Sequence, residues 1–380
     1  MIKPKRVLQI VGSMNRGGAE TLIMNLFRHL NKEKVKFDFI VHTNKICHYE
    51  NEIINMGGKI FRLPHPRAVG VFKWYSNLKN LLREQGPFDG IHCHMLFMSG
   101  MVVLCAKQSR IPIRIAHAHN SQDSEGNSLH RRIYRLVMKR LILRYSTHIF
   151  GCSPKVCKWM FPTHYNKDNR IKVLHNGIDL EAFEKVENCI KSKEVARKKL
   201  SLPLSNVLIG HVGSFRPQKN HTFLVEIFSA IKKQVPNCCL VMVGDGPLKP
   251  KIEEIVKNKG LMNAVHFVGL RQDVPEILKA LDLFLFPSLY EGLPLALIEA
   301  QAAGIPFVTT DTVYNDADLK MGLGKGVSLK NSIEVWVNKC IEAINSQRVP
   351  EWETRKKILI DNGYDIRHVV KELEGIYTQI

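Results

Sequence analysis

No Cys-x-x-Cys pair occurs among the nine cysteines of this 380-residue chain, and their odd number would leave one unpaired in any disulfide framework. Both features argue against a zinc ribbon and a disulfide-stapled secreted scaffold, and reduced thiols in a cytoplasm are expected. No apolar stretch approaches the roughly 20 residues a membrane span needs. The basic N-terminus (Lys3, Lys5, Arg6) precedes only Val7–Val11 before Gly12. That is too short for a signal-peptide core, so a soluble or peripheral protein is expected. Short repeats and low-complexity tracts are lacking. With 45% hydrophobic and 24% charged residues, disordered, collagenous and coiled-coil chains are excluded too. Acids are scarce in the first half: residues 1–190 carry 30 Lys+Arg against 14 Asp+Glu, while residues 191–380 carry 25 against 21. This imbalance predicts an anionic partner for the first half, a membrane surface or nucleic acid. No interleaved aromatic platform or nucleic-acid-binding motif accompanies it, so nucleic acid is not expected.

What the chain does contain is alternation. Short apolar runs at Val7–Val11, Phe37–Val41, Ile60–Leu63, Gly90–Cys93, Ile113–Ala116 and His148–Gly151 alternate with helical patterns such as Ala19–His29, Trp74–Glu84 and Leu129–Tyr145. A second series has runs at Val207–Val212, Cys239–Val243, Ala264–Val268, Leu283–Phe286 and Phe307–Thr309. Its helical patterns fall at Thr222–Gln234, Leu248–Asn258, Pro294–Ala303 and Ile333–Asn345. Strands too apolar to have a wet face, separated by helices, read as parallel sheets covered on both sides. The polar, Lys-rich stretch Glu181–Ser205 separates the series. An α/β protein of two doubly wound domains is predicted, over 1–190 and 200–360. Ligands of such sheets bind beyond the carboxyl ends of strands, so the site is expected between two facing sheets.

Several segments could carry chemistry. Gly12 to Glu20 is a Gly-rich turn between a strand and a helix, where backbone amides can approach an anion. It lacks the Lys-Ser/Thr of a P-loop, and a plain tight turn remains an alternative. Gly244-Asp245-Gly246-Pro247 is a second such turn. In Gly213 to His221, Arg216 and Lys219 bring two cations to a helix N-terminus, an arrangement suited to a shared diphosphate or to a solvated basic loop. Glu291 follows a buried strand, and Glu299 falls inside an otherwise apolar helix opened by Pro294. A lone carboxylate there is costly without a partner; two carboxylates around a helix start can bind sugar hydroxyls. His117 and His119 leave a strand end. They could face a ligand, and no third ligand at zinc-like spacing is near, so no metal is expected. Residues 129–145 hold Arg131, Arg132, Arg135, Lys139, Arg140 and Arg144 and no acid. This basic amphipathic pattern suits either a membrane surface or a core helix with a solvated side.

Taken together, these segments resemble glycosyltransferase family 4, a branch of the GT-B enzymes, over nearly the whole chain. The most specific part is EGLPLALIEAQAAGIPFV, in which Glu291 and Glu299 stand eight positions apart. GGAE at 17–20, the Gly213 to Asn220 turn, Gly244 to Pro247 and His119-Asn120 add to it. The resemblance implies two Rossmann-like domains with a nucleotide-sugar donor held mainly by the second. It implies that Glu299 binds the ribose hydroxyls, Glu291 the donor sugar and Lys219 the diphosphate. Gly17 and Gly18 would pass close to that diphosphate, His119 would face the transferred sugar, and His117 is less favoured for that role. Gly244, Gly246, Gly292, Leu293 and Pro294 would complete the donor site. Ser214 stands where members carry an arginine, and Arg216 would supply the guanidinium from a shifted position. The resemblance further implies a final helix, 361–380, crossing back to the first domain.

The activity so implied is retaining transfer of a hexose or N-acetylhexosamine from a nucleotide sugar, UDP-linked by preference, with no metal or other cofactor. The acceptor would be a glycan or lipid-linked glycan in surface or extracellular polysaccharide synthesis, on the cytoplasmic face of an anionic membrane. The alternatives are a non-hydrolysing nucleotide-sugar epimerase and a basic nucleic-acid-binding protein.

Overall fold

The computed structural model describes residues 3–121, 126, 128–190, 192–346 and 348–379. The chain divides into two compact units, Met1–Gly177 with Ile366–Ile380, and Ile178–Asp365. In the first, strands β1 (Lys5–Val11), β2 (Val35–Val41), β3 (Ile60–Arg62), β4 (Gly90–Cys93), β5 (Ile113–Ala118), β6 (His148–Gly151) and β7 (Ile171–Val173) form one sheet of order β3-β2-β1-β4-β5-β6-β7. Every pair in it is parallel. Strand alternation sends Val7 and Val11 to one apolar layer and Leu8 and Ile10 to the other, which is why β1 reads as a continuous apolar run.

Helices Gly18–His29 and Ile366–Tyr377 cover the first of these faces and pack on each other. The last helix buries Ile366, Val369, Val370, Leu373, Ile376 and Tyr377. Each large apolar side chain so buried contributes roughly 1.5–3 kcal/mol. Gly177 lies against the backbone of Ile366, where an added Cβ would stand 2.7 Å from its Cα.

The second unit has β8 (Val207–Val212), β9 (Cys238–Val243), β10 (Val265–Gly269), β11 (Leu283–Phe286), β12 (Phe307–Thr310) and β13 (Gly324–Val327), in the order β10-β9-β8-β11-β12-β13. All its pairs are likewise parallel. Aromatic residues Phe215, Phe228, Phe284, Phe286, Phe307 and Trp336 are fully buried around it.

Three features differ from the sequence reading. Residues 178–190 pack with the second unit, not the first. Helix Leu180–Cys189 lies on Val274–Ala280 and Trp352–Asp361, with Lys279 2.7 Å from Glu187 and Lys356 2.8 Å from Glu184. The charges that read as a linker are thus ion-paired surface; further on, Asp282 takes Lys193 at 2.8 Å and Arg197 at 2.5 Å. The edge strands β7 and β13 carry no run that marks a strand. In β13, Gly324 and Gly326 are dictated by aromatic neighbours, since a Cβ would meet the Phe307 ring at 2.3 Å and the Tyr314 ring at 2.9 Å.

Candidate functional site

In the second sheet the strand order reverses between β8 and β11, so the loops leaving these two neighbours open the crevice where such sheets bind ligands. Those loops hold Arg216 and Lys219 on one side and Glu291 on the other. They are stitched together: Leu289 donates its amide to the Gln218 carbonyl at 2.8 Å, and Asn220 its side-chain amide to the Pro287 carbonyl at 3.2 Å. Asn220 sits in the left-handed region (φ 54°), which Asn tolerates better than most residues, and turns the chain into helix His221–Gln234.

The acid and the lysine expected to bind separate parts of a ligand meet each other. Lys219 Nζ donates to Glu291 Oε1 at 2.8 Å and lies 4.5 Å from the centre of the Phe286 ring. Gln218 Nε2 donates to the other oxygen, Oε2, at 2.9 Å and to the Tyr290 carbonyl at 2.9 Å. Both charged groups are largely buried, so removing one alone leaves the other uncompensated, at about 3–5 kcal/mol. Arg216 is exposed and its guanidinium makes no hydrogen bond among the described residues.

Glu299 is different. It lies on helix Leu295–Ala302, which starts after the buried Gly292-Leu293-Pro294 and has no side-chain cap. Its carboxyl meets no hydrogen-bond donor or cation among the described residues. Burial alone lifts it to about 7. The residue is half-buried, so part of it remains open to solvent.

The glycines at 244 and 246 have a structural cause. At Gly244 (φ 137°) a Cβ would stand 2.1 Å from the Gly213 carbonyl oxygen, and at Gly246 2.8 Å from the Phe215 amide. The β9 loop crosses directly against the β8 loop, with Phe215 N donating to Asp245 O at 3.0 Å and Leu248 N to Phe215 O at 3.0 Å.

In the first unit the corresponding reversal is between β1 and β4. Gly17 is the extended N-cap of helix Gly18–His29, and a Cβ on it would meet Glu20 Oε2 at 2.5 Å. Gly18 faces open space, with nothing within 4 Å of a Cβ. His119, just past β5, belongs to an array of four imidazoles that the one-dimensional reading missed. Its Nε2 lies 2.8 Å from His94 Nδ1, and His94 Nε2 lies 2.9 Å from Gln9 Oε1. A parallel chain runs from Tyr377 Oη to His92 Nδ1 at 2.7 Å and from His92 Nε2 to His117 Nδ1 at 3.2 Å. The two chains stack, with ring centres 4.2 Å apart for His92 and His94 and 4.1 Å for His117 and His119.

Burial, and then repulsion among the rings, holds His92, His94 and His117 well below their ordinary range. Burial takes His119 down to about 4 against a smaller upward pull from Asn176. The array is neutral at pH 7.

The structure therefore brings Lys219, Glu291 and Gln218 together at one switch point and His119 into an array at the other, and it leaves Glu299 unpartnered. Gln218, Gln9, His92, His94 and Tyr377 were not anticipated. A signal existed: His92-x-His94 and His117-x-His119 repeat the same spacing at the ends of neighbouring strands. Three possible metal ligands that sequence spacing did not show do gather in space, around His117 and without His119. Nitrogens of His92, His94 and His117 lie within 4.8 Å of one another. An Asp-x-Asp triplet, Asp316-Ala317-Asp318, also exists, at the end of helix Asp311–Ala317, where Asp318 pairs with Lys320 at 2.9 Å.

Two doubly wound parallel sheets on one chain, the second with an acid–lysine pair in its switch-point loops, have the architecture of the GT-B glycosyltransferases. Comparison with known proteins places the chain among them. Residues 16–182 match the family described as Glycosyltransferase Family 4, and residues 192–364 that described as Glycosyl transferases group 1. The Bacillus subtilis (strain 168) protein named as glycosyltransferase EpsF is 36% identical over 374 residues, covering 98% of this chain and 96% of its own. The capsular polysaccharide biosynthesis glycosyltransferase CapH of Staphylococcus aureus is 27% identical, with 98% of each chain covered. An Escherichia coli UDP-Gal:alpha-D-GlcNAc-diphosphoundecaprenol alpha-1,3-galactosyltransferase is 26% identical over 83% of this chain and 82% of its own. Among solved structures, Anabaena HepE in complex with UDP-glucose superposes with a TM-score of 0.75 at 16% identity, covering 99% of this chain and all of that one. The chain belongs to glycosyltransferase family 4.

Proposed function

We propose that this glycosyltransferase moves a hexose or N-acetylhexosamine from a UDP-sugar to a glycan or lipid-linked glycan, with retention and without a metal, in surface or extracellular polysaccharide synthesis. It would work on the cytoplasmic face of the membrane. The observation that carries the donor side is the carboxyl of Glu299, raised to about 7 with no protein donor among the described residues, on the helix that follows the Glu291 loop. Support for the sugar and acceptor classes comes from what the relatives are named for: UDP-galactose and a diphosphoundecaprenol-linked acceptor in one, capsular polysaccharide in another. HepE is itself recorded with UDP-glucose. Among the described residues no helix is long and apolar enough to cross a membrane, so a lipid-linked acceptor would be met at the surface.

In this reading Lys219 turns from Glu291 to the diphosphate and stabilises the charge that builds on the leaving group, with Arg216 beside it. Glu291, released, accepts from donor-sugar hydroxyls, and Glu299 from the ribose. His119, neutral, accepts or donates a hydrogen bond at the transferred sugar. The departing phosphate oxygen assists deprotonation of the acceptor on the same face, so no carboxylate acts as nucleophile.

The test is a panel of UDP-, GDP- and ADP-sugars in a thermal-shift assay, followed by product analysis with the best ligand. Slow release of free sugar with the donor anomeric configuration retained supports transfer. Isomerisation of the nucleotide sugar without acceptor would establish the epimerase instead.

A further inference from the structure

The first half of the helix Leu129–Tyr145 faces its apolar residues away from the core. It buries Met138 and Ile142, whereas Leu129, Ile133, Leu136 and Val137 are 67%, 53%, 51% and 41% exposed. At about 100° per residue these four fall within an arc of about 100° on the outer side. Arg132 borders the arc, and Arg140 and Arg144 continue it along the helix; all three are exposed. Lys139 points inward, donating to the Trp159 carbonyl at 3.3 Å and lying near the rings of Phe97 and Trp159. No acid occurs on the helix.

The apolar half also overhangs. Helix Ser99–Gln108 packs against this helix, and Gly100, in its first turn, meets Met138, since a Cβ there would lie 2.6 Å from the Met138 carbonyl oxygen. Both helices follow strands of the same parallel sheet and run in the same direction. Leu129–Val137 therefore rises about 13 Å beyond the start of its neighbour, at 1.5 Å per residue. It does so at the carboxyl edge of the sheet, where His94 and His119 stand.

We infer that Leu129–Val137 is an interfacial anchor whose outer face enters the headgroup region of an anionic bilayer. Leu129, Ile133, Leu136 and Val137 take up the acyl boundary, and Arg132, Arg140 and Arg144 the phosphates. The chemistry that recognises this face is a sheet of anionic headgroups over hydrocarbon, since four apolar side chains ringed by cations satisfy both layers at once. The inference deepens the membrane part of the proposed function and rests on it.

The test is flotation of the full chain with phosphatidylcholine vesicles, with and without phosphatidylglycerol, at low salt. The wild type is expected to float only with the anionic lipid. Ile133→Ser with Leu136→Ser, and separately Arg132→Glu with Arg140→Glu, should each weaken partition about tenfold or more. Melting temperature and the slow release of free sugar from nucleotide sugar should not change, because all four side chains are exposed. Failure of the wild type to float, or flotation of the serine pair equal to it, overturns the inference. So does a dimer that the serine pair converts to monomer, which would make this face an interface between copies. Sugar release without flotation sinks the anchor alone, while flotation by a chain that handles no nucleotide sugar sinks the enzymatic reading alone.

Discussion

If Glu299 waits half-protonated for the hydroxyls of a nucleotide sugar, binding must expel a proton. The free carboxyl sits at about 7 because burial disfavours its charge. Two hydroxyl donors would return it to the ordinary range near 4.3, and that difference is worth at most about 3.7 kcal/mol. Linkage then sets the numbers. At pH 6 about 0.9 proton leaves per ligand bound, at pH 7 about half, and affinity tightens about 80-fold from pH 5 to pH 8. The probe should be a nucleotide sugar rather than free UDP, because its phosphates are both esterified and do not titrate in this window. Calorimetric titration at pH 6 in two buffers of different ionisation heat reads the proton number directly. Glu299→Gln keeps the shape and should bring that number to zero. Buffer-independent heats for the wild type, or the same release from the Gln variant, would refute the assignment of Glu299 to the donor.

Lys219→Ala should cut turnover by about 10²–10³ through lost leaving-group stabilisation, and also lower stability by about 3 kcal/mol because Glu291 is left uncompensated. Lys219→Met with Glu291→Leu should recover the stability but not the turnover, which separates the two effects in parallel melting and rate measurements. Gly244→Ala should unfold the second unit or cost about 3 kcal/mol or more, since its Cβ would collide with the Gly213 carbonyl. Gly18→Ala should leave the melting temperature unchanged or slightly raised while reducing donor turnover about tenfold or more, if a diphosphate passes that open space. The buried imidazoles predict acid lability. Their folded values lie below 6.5, so their contribution is complete above that pH and is lost as pH falls through it toward about 4. His119 alone accounts for about 2 kcal/mol by pH 5, and denaturant titrations of the wild type and His119→Gln should differ in slope by one group. Excess EDTA should leave turnover intact, because the two imidazole pairs spend nitrogens on each other; loss of activity restored by a divalent ion would reverse that.

Much of the fold could be read in advance because parallel strands buried on both faces announce themselves. Gly90–Cys93, His148–Gly151, Val207–Val212 and Leu283–Phe286 lie where their apolar runs put them. What escaped lacked that signal. The edge strand Gly324–Val327 is half glycine for the sake of Phe307 and Tyr314, and the charges of 181–199 read as solvated linker although many are paired. At the candidate site, the types of residue were legible from local turns, but their pairing was not. Glu291 and Lys219 are 72 positions apart and meet only because β8 and β11 are neighbours. The imidazole array required four residues at the ends of two neighbouring strands and a tyrosine from the last helix. Leu129–Val137 was legible in the opposite sense: its pattern allowed a core helix or a surface one, and only packing against Gly100 decides which side is inward.

The charge balance of the proposed complex shows why backbone amides matter there. In the proposed complex two cations, Lys219 and Arg216, face two phosphate charges and the carboxylates of Glu291 and Glu299. Side chains alone leave two negative charges unmatched, more than a partly buried site tolerates. A metal ion would close that gap; without one, backbone amides must. Helix Leu295–Ala302 begins without a side-chain cap, so its first amides are available for that. In the proposed complex a whole nucleotide sugar is held through ribose and phosphates together, whereas an anionic fragment meets the cations alone.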